Sequence, residues 1–447
     1  MSSPWTEVIF RRPGGVFLLL LFALALRIIF GVVLIPDEYR TPSRDAAEYD
    51  RLGLNLAKGN GLKDEFLSHR MPLYPAFLAL CYLIWGHSYV AVRLVQSLLG
   101  TLTCLFVYLA ARRVAGDGLA RIALFVAAVY PPLIRYSYFG GPAFLLSETL
   151  FIFFLSLGVL VLLLWWTDDQ RQLALLAIGG LILGVAQLVR PVLLLAPVFV
   201  GLWLIIFVRD GRFAMRWSGR LGRAIIFAVC FLAPTVPWAV RNFQAHGAVI
   251  LATTNGGAAF LGGNNSAARG AWVPPHKNSD LDPAELEGLG ELGRDRRQYE
   301  KAWAFLRAHP ERILWLAARK ILIQFSPFSE VEDGVVSYNF GYGMVLPFVV
   351  LGALWGLVPG TRQPDLLIAA VLLALTSVAI VTMGDPRYRY PIEPLLMLFA
   401  ARGLVGVRER LGGPVAVGAI VTALAVINGI FAFAPATAYT LAKTFAF

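Results

Sequence analysis

The stretch Arg209-Asp-Gly-Arg-Phe-Ala-Met-Arg-Trp-Ser-Gly-Arg-Leu-Gly-Arg223 separates two apolar runs, residues 192–208 and 224–240. It sets five arginines against one acid, Asp210. Each flanking run approaches the roughly 20 apolar residues that a helix needs to cross a bilayer. An arginine-rich turn between two such runs marks a cytoplasmic loop, because the bias of Lys and Arg sets membrane orientation. The fold follows from extending this reading in both directions.

Comparable apolar runs lie at residues 16–35, 89–111, 119–136, 143–166, 173–189, 344–358, 366–383, 392–407 and 415–433. With the first pair they predict about eleven transmembrane helices, an all-α polytopic membrane protein in a single domain over residues 1–447. Composition agrees. Apolar residues make up 58 % of the chain and charged residues 15 %, against about a quarter charged in a soluble domain. The net charge of +11 sits at the ends of apolar runs. That is a topology signal, and it predicts membrane lipids, not nucleic acid, as the surroundings.

Arg11 and Arg12 precede the first run, which carries Arg27 and exceeds a signal-peptide core in length. It is expected to be an uncleaved anchor with its N-terminus in the cytoplasm. Arg112, Arg113, Arg121, Arg171, Arg362, Arg402, Arg408 and Arg410 then fall on the same side. Two loops are left outside: residues 36–87, and residues 242–342. Segments 73–85 and 313–325 are apolar but short or charge-interrupted. They are expected to be amphipathic helices lying in the interface. Cys81, Cys104 and Cys230 all sit in apolar runs and read as small buried hydrophobes.

The first outer loop reads Thr41-Pro-Ser-Arg-Asp-Ala-Ala-Glu-Tyr-Asp-Arg51 and closes on Gly59-Asn-Gly61. Thr41-Pro42 is a helix start, and the glycines are a stop. Asp45 is therefore expected in the first turn, with Glu48 and Tyr49 one turn on along the same face. These are either a solvated surface turn or a general base with acceptor-binding partners. Glu148, in Leu146-Ser-Glu-Thr149, lies inside an apolar run near its outer end. An acid there is costly and a default functional candidate; the plain alternative is a carboxyl bonded within the bundle. Arg70, before Met-Pro-Leu-Tyr74-Pro75, and Arg387 and Arg389, in Asp385-Pro-Arg-Tyr-Arg-Tyr-Pro391, are cations on the disfavoured side. Lipid headgroups explain them, or a phosphate held by guanidinium forks. Arg190 and Arg241 stand in reserve. The Gly262-Gly-Asn264-Asn265 segment suits sugar hydroxyls and turns alike. His69, His246, His276 and His309 match no metal spacing, and no phosphate loop, dinucleotide fingerprint or nucleophile elbow is present.

The order of these pieces resembles the GT-C superfamily of membrane glycosyltransferases, in the bacterial branch related to protein O-mannosyltransferases and the lipid A aminoarabinose transferase. The residues that carry it include Asp45, Tyr49, Gly59-Asn-Gly61, Arg70-Met-Pro-Leu-Tyr-Pro75, Ser147-Glu148, Arg241-Asn242, His309-Pro-Glu-Arg312, Lys320 and Arg387-Tyr-Arg-Tyr-Pro391. The resemblance implies a polyprenyl-phosphate sugar donor used at the periplasmic face of the inner membrane, and a glycan, lipid or protein acceptor. It implies Asp45 as base, Glu148 as the second acid, and Arg70 with Arg387 or Arg389 on the donor phosphate. Tyr74 and Asn264 join Glu48 and Tyr49 as expected substrate contacts. Relatives often carry two adjacent acids where Asp45 is followed by Ala46, which leaves a divalent cation at Asp45 and Glu148 open. Two other activities compete: a transporter or flippase, and an O-antigen ligase-like enzyme with a diphosphate-linked donor.

Overall fold

The computed structural model describes residues 14–34, 41–42, 45–138, 145–167, 172–208, 217–330, 336–356, 364–410, 413–433 and 435. The arginine-rich residues 209–216, the segment 139–144 and the N-terminal Arg11 and Arg12 lie outside them.

Helix α1 (Gly15–Ile28) continues through a π turn to Val33. Helix α2 (Asp45–Ala57) begins at Asp45, and Gly59 and Gly61 follow it with φ of 77° and 80°. Then come α3 (Leu73–Trp85), α4 (Tyr89–Ala115), α5 (Asp117–Val129) and α6 (Pro131–Tyr138). The run expected as one helix over 119–136 is thus two. Pro131 and Pro132 cause the break, because the residue before a proline is pushed into extended conformation, and Tyr130 has ψ of 111°.

Helices α7 (Glu148–Thr167), α8 (Leu173–Val189) and α9 (Ala196–Ile206) follow, then α10 (Trp217–Leu232), which runs through one 3-10 turn into α11 (Val236–His246). The second loop carries α12 (Gly256–Gly263), α13 (Glu291–Ala308), α14 (Glu311–Gln324) and a short antiparallel hairpin, β1 (Phe328–Glu330) with β2 (Val336–Tyr338). The hairpin departs from an all-α chain; three-residue strands leave too little alternation to read. Helices α15 (Phe340–Gly356), α16 (Pro364–Val381), α17 (Glu393–Arg410) and α18 (Gly413–Phe433) close the chain.

Among the described residues, five helices are long and apolar enough to cross a membrane: Gly15–Val33, Tyr89–Ala115, Glu148–Thr167, Gly219–His246 and Pro386–Arg410. Six shorter apolar helices accompany them. Their outward side chains are apolar. Phe17, Leu83 and Val229 are each more than 60 % exposed, a surface that suits lipid and not water.

Glycines set the closest crossings. A Cβ at Gly352 of α15 would lie 1.9 Å from the Phe399 carbonyl oxygen of α17, and one at Gly403 of α17 would lie 2.0 Å from that of Phe348 of α15. Small residues let membrane helices approach in this way. Arg27, fully buried in α1, donates to the carbonyls of Ala23, Ala127 and Ala128 and to the Cys104 sulfur. A charge within an apolar run is tolerated because α4 and α5 supply its acceptors.

Candidate active site

Six charged side chains from five segments meet at one end of the bundle. Helix α2 starts at Asp45, so Asp45 and Glu48 stand one turn apart on one face. A single guanidinium, that of Arg70 in the α2–α3 loop, spans them. Its Nη2 lies 2.7 Å from Asp45 Oδ1 and 2.6 Å from Glu48 Oε2. Arg70 also rests on the Tyr49 ring, 5.2 Å from its centroid.

Arg387 joins Asp45 to the bundle. Asp385 accepts from the Arg387 backbone N–H at 2.7 Å and, with Pro386, starts a 3-10 turn. From that turn Arg387 Nη1 reaches Asp45 Oδ2 at 3.1 Å, and its Nε donates to Glu148 Oε1. Glu148 is the first residue of α7, not a position deep in it. A helix N-terminus favours the carboxylate there. It is fully buried, and Arg190 Nη1 lies 2.7 Å from the same oxygen. Oε2 of Glu148 is buried without a hydrogen-bond partner among the described residues.

The contacts close into a ring. Arg190 Nη1 donates to Ser147 Oγ at 3.2 Å, and the Tyr49 hydroxyl donates to that oxygen at 3.4 Å. The order is Arg70, Asp45, Arg387, Glu148, Arg190, Ser147, Tyr49 and back to Arg70. Arg190 is the member that sequence reading held in reserve. Its signal was a cation just before Pro191, and that proline ends α8 and turns the residue out of the helix with φ of −145°.

Burial alone would raise the pKa of Asp45. The charges of Arg70 and Arg387 outweigh it and hold the carboxyl well below its ordinary 3.8. The Asp45 and Arg387 side chains are each 33 % exposed, so the ring opens to solvent on their side.

The structure does not bring the other expected residues to this ring. Arg389 is fully buried. It donates to Glu393 Oε1 at 2.8 Å and to the carbonyls of Gln324 and Ser326 at 2.9 and 2.5 Å. Two residues along a 3-10 turn point about 120° apart, so Arg387 and Arg389 serve different places. Tyr74 lies beneath the ring, edge-on to Tyr49 at 4.9 Å, and donates to Gln96 at 3.0 Å. Asn264 is 3 % exposed. Its Nδ2 donates to the carbonyls of Phe260 and Val381, and its Oδ1 accepts from Lys320 at 2.8 Å. It braces α12 to α14 and the end of α16, and offers a sugar little.

A hard divalent cation such as Mg²⁺ or Ca²⁺ takes about six or more oxygens. Between Asp45 and Glu148 stands the Arg387 guanidinium, bonded to both. Among the described residues no three His, Cys, Asp or Glu side chains group to hold a metal. In this arrangement the Arg387 guanidinium occupies the space between the two carboxylates. A groove lined by Leu232, Val236, Val240 and Phe243 on α10 and α11 is apolar and holds none of the ring residues.

The sequence pattern of the dolichyl-phosphate-mannose-protein mannosyltransferase family matches residues 69–238. No curated protein sequence matches the chain. Solved structures share the fold. An oligosaccharyltransferase from Archaeoglobus fulgidus, crystallised with Zn and sulfate, superposes with a TM-score of 0.55 at 16 % identity, over 94 % of this chain and 52 % of its own. The oligosaccharyltransferase AglB from the same organism, bound to an inhibitory peptide and a dolichol-phosphate, gives 0.52 at 16 %, over 94 % and 56 %. ArnT from Cupriavidus metallidurans, bound to undecaprenyl phosphate, gives 0.53 at 14 %, over 97 % and 73 %. The chain spans about half the length of the archaeal enzymes it resembles. The resemblance to GT-C glycosyltransferases therefore extends to the fold.

Proposed function

We propose that this chain, built on the GT-C membrane fold, transfers a sugar from a polyprenyl-phosphate donor to an acceptor hydroxyl at the periplasmic face of the inner membrane. The ring that joins Asp45 and Glu148 through Arg387 carries this reading. The arginine-rich turns of the sequence support a topology of about eleven spans with the N-terminus inside and the ring on the outer side. The eleven comprise the five long helices, α5, and all the shorter apolar helices except α3.

The donor phosphate takes the guanidinium groups of Arg70 and Arg387. In the free protein those groups are satisfied by carboxylates, three acids against three arginines. Donor binding is thus an exchange, in which the phosphate displaces Asp45 from its cations. The same exchange restores the basicity that Arg70 and Arg387 suppress. Asp45 then takes the acceptor proton as the acceptor oxygen bonds to the anomeric carbon. The bond from that carbon to the phosphate oxygen breaks with inversion, and polyprenyl phosphate leaves with its new charge held by the arginines. Glu148 Oε2, which has no hydrogen-bond partner among the described residues, accepts from a donor hydroxyl.

A transporter needs acids near the bilayer midplane, whereas these acids sit at helix ends. The dolichol-phosphate and undecaprenyl phosphate of the similar structures support the donor class. Mass spectrometry of surface glycans and lipids from a deletion strain and its parent tests the activity. A single sugar missing from one glycan or lipid is the expected result. Identical profiles, with no undecaprenyl phosphate bound by the purified protein, would remove the proposal.

A further inference from the structure

A second polar cluster lies behind the turn that carries Arg387. Tyr130 precedes α6, Gln324 ends α14, Tyr342 belongs to α15, and Arg389 and Glu393 lead into α17. None of the five is more than 2 % exposed. Arg389 lies over the Tyr342 ring, 3.6 Å from its centroid, pairs with Glu393 through Nε, and donates to the Gln324 carbonyl. The Tyr130 hydroxyl faces the Glu393 carboxylate.

Six buried polar atoms of these side chains make no close hydrogen bond among the described residues, although the Tyr130 hydroxyl and the Glu393 carboxylate lie near enough to interact directly. The six are the Tyr130 and Tyr342 hydroxyls, Arg389 Nη2, Glu393 Oε2, and Nε2 and Oε1 of Gln324. Native proteins pair nearly all such groups. Six together, from four parts of the chain, call for a common partner. That partner must both donate and accept, since the set holds guanidinium and amide N–H groups beside carboxylate and amide oxygens. It must be neutral, because Arg389 already balances Glu393 and either sign of ion would meet a like charge. It must also be small, since the site is closed to solvent.

The geometry points to a built water site: an ordered water cluster enclosed by Tyr130, Gln324, Tyr342, Arg389 and Glu393, which completes the hydrogen bonding of an ion pair inside the bundle. A buried water makes about three hydrogen bonds, so six atoms call for roughly two waters. The site is independent of the transferase reading and needs no substrate.

Tyr130→Phe and Tyr342→Phe, made singly in the full-length protein, test it by the sign of the change in Tm. Removing a hydroxyl that binds water strands the water and its other partners, so each variant should melt lower than wild type. Removing a dry, unpaired hydroxyl relieves a burial cost, so a higher Tm would overturn the proposal. A structure at a resolution that shows ordered water should place density between the tyrosines and Glu393, weakened in each variant. Direct protein contacts there with no water density would overturn it even if Tm falls.

Discussion

Asp45 and Arg387 are held to each other and must part if the site works as proposed. This sets two opposed effects on one residue. In Asp45→Asn the guanidinium groups lose a competitor and the reaction loses its base. Undecaprenyl phosphate should therefore bind tighter than to wild type, measured by native mass spectrometry or thermal shift, while transfer falls by about 10²-fold or more. Weaker binding would show that Asp45 orients the donor and does not compete with it. Acid stability follows with the same sign logic. The pKa of Asp45 is lowered on folding, so its contribution is fully present above the ordinary 3.8 and fades as pH falls below that value. The Tm difference between wild type and Asp45→Asn should shrink across that window. A gap that widens on acidification would contradict the ion pairs drawn here.

Arg387 and Arg389 separate by readout. Arg387→Gln removes a group from the leaving phosphate and should cost about 10²-fold in rate with the fold intact. Arg389→Gln leaves Glu393 buried without its partner and should lower Tm, by about 3 kcal/mol or more in stability. Equal losses of rate at equal stability would place both in the donor site.

The helices position that turn through glycine contacts. Gly352 and Gly403 each receive the other helix's backbone so closely that a methyl group cannot fit. Helix α17 begins one 3-10 turn after Arg387, so a shift of α17 against α15 moves the guanidinium relative to Glu148. Gly352→Ala and Gly403→Ala should each lower Tm and reduce transfer together. Gly118→Ala, with open space around its Cβ position, should change neither. An unaltered Tm in the two crossing variants would mean that the helices sit farther apart.

Across the whole molecule, the sidedness rests on charge. Lys277, in the second loop, and Arg113, at the far end of α4, should lie on opposite sides of the membrane. Lys277→Cys should react with an impermeant maleimide in intact cells, and Arg113→Cys only after permeabilisation. The reverse labelling would invert the topology and put the ring in the cytoplasm.

Much of this was legible in order along the chain. Apolar runs and arginine-rich turns are local signals, because the bilayer acts on each segment separately. They located most of the helices, and Gly59 and Gly61 marked the end of α2; the start expected at Thr41-Pro42 is not met, since both residues lie outside the helix, which begins at Asp45. Pro131-Pro132 was equally local, yet the mostly apolar residues on either side read as one run across it.

Which polar side chains meet was another matter. Asp45, Glu148 and Arg387 are separated by 103 and 239 residues, and no local pattern ties them. Only the packing of α2, α7 and the turn before α17 closes the ring, draws in Arg190, and turns Arg389 and Asn264 inward to brace the bundle. Segments could be read from composition because lipid solvates each helix alone. Pairings could not, because a hydrogen bond depends on where two distant backbones bring their side chains.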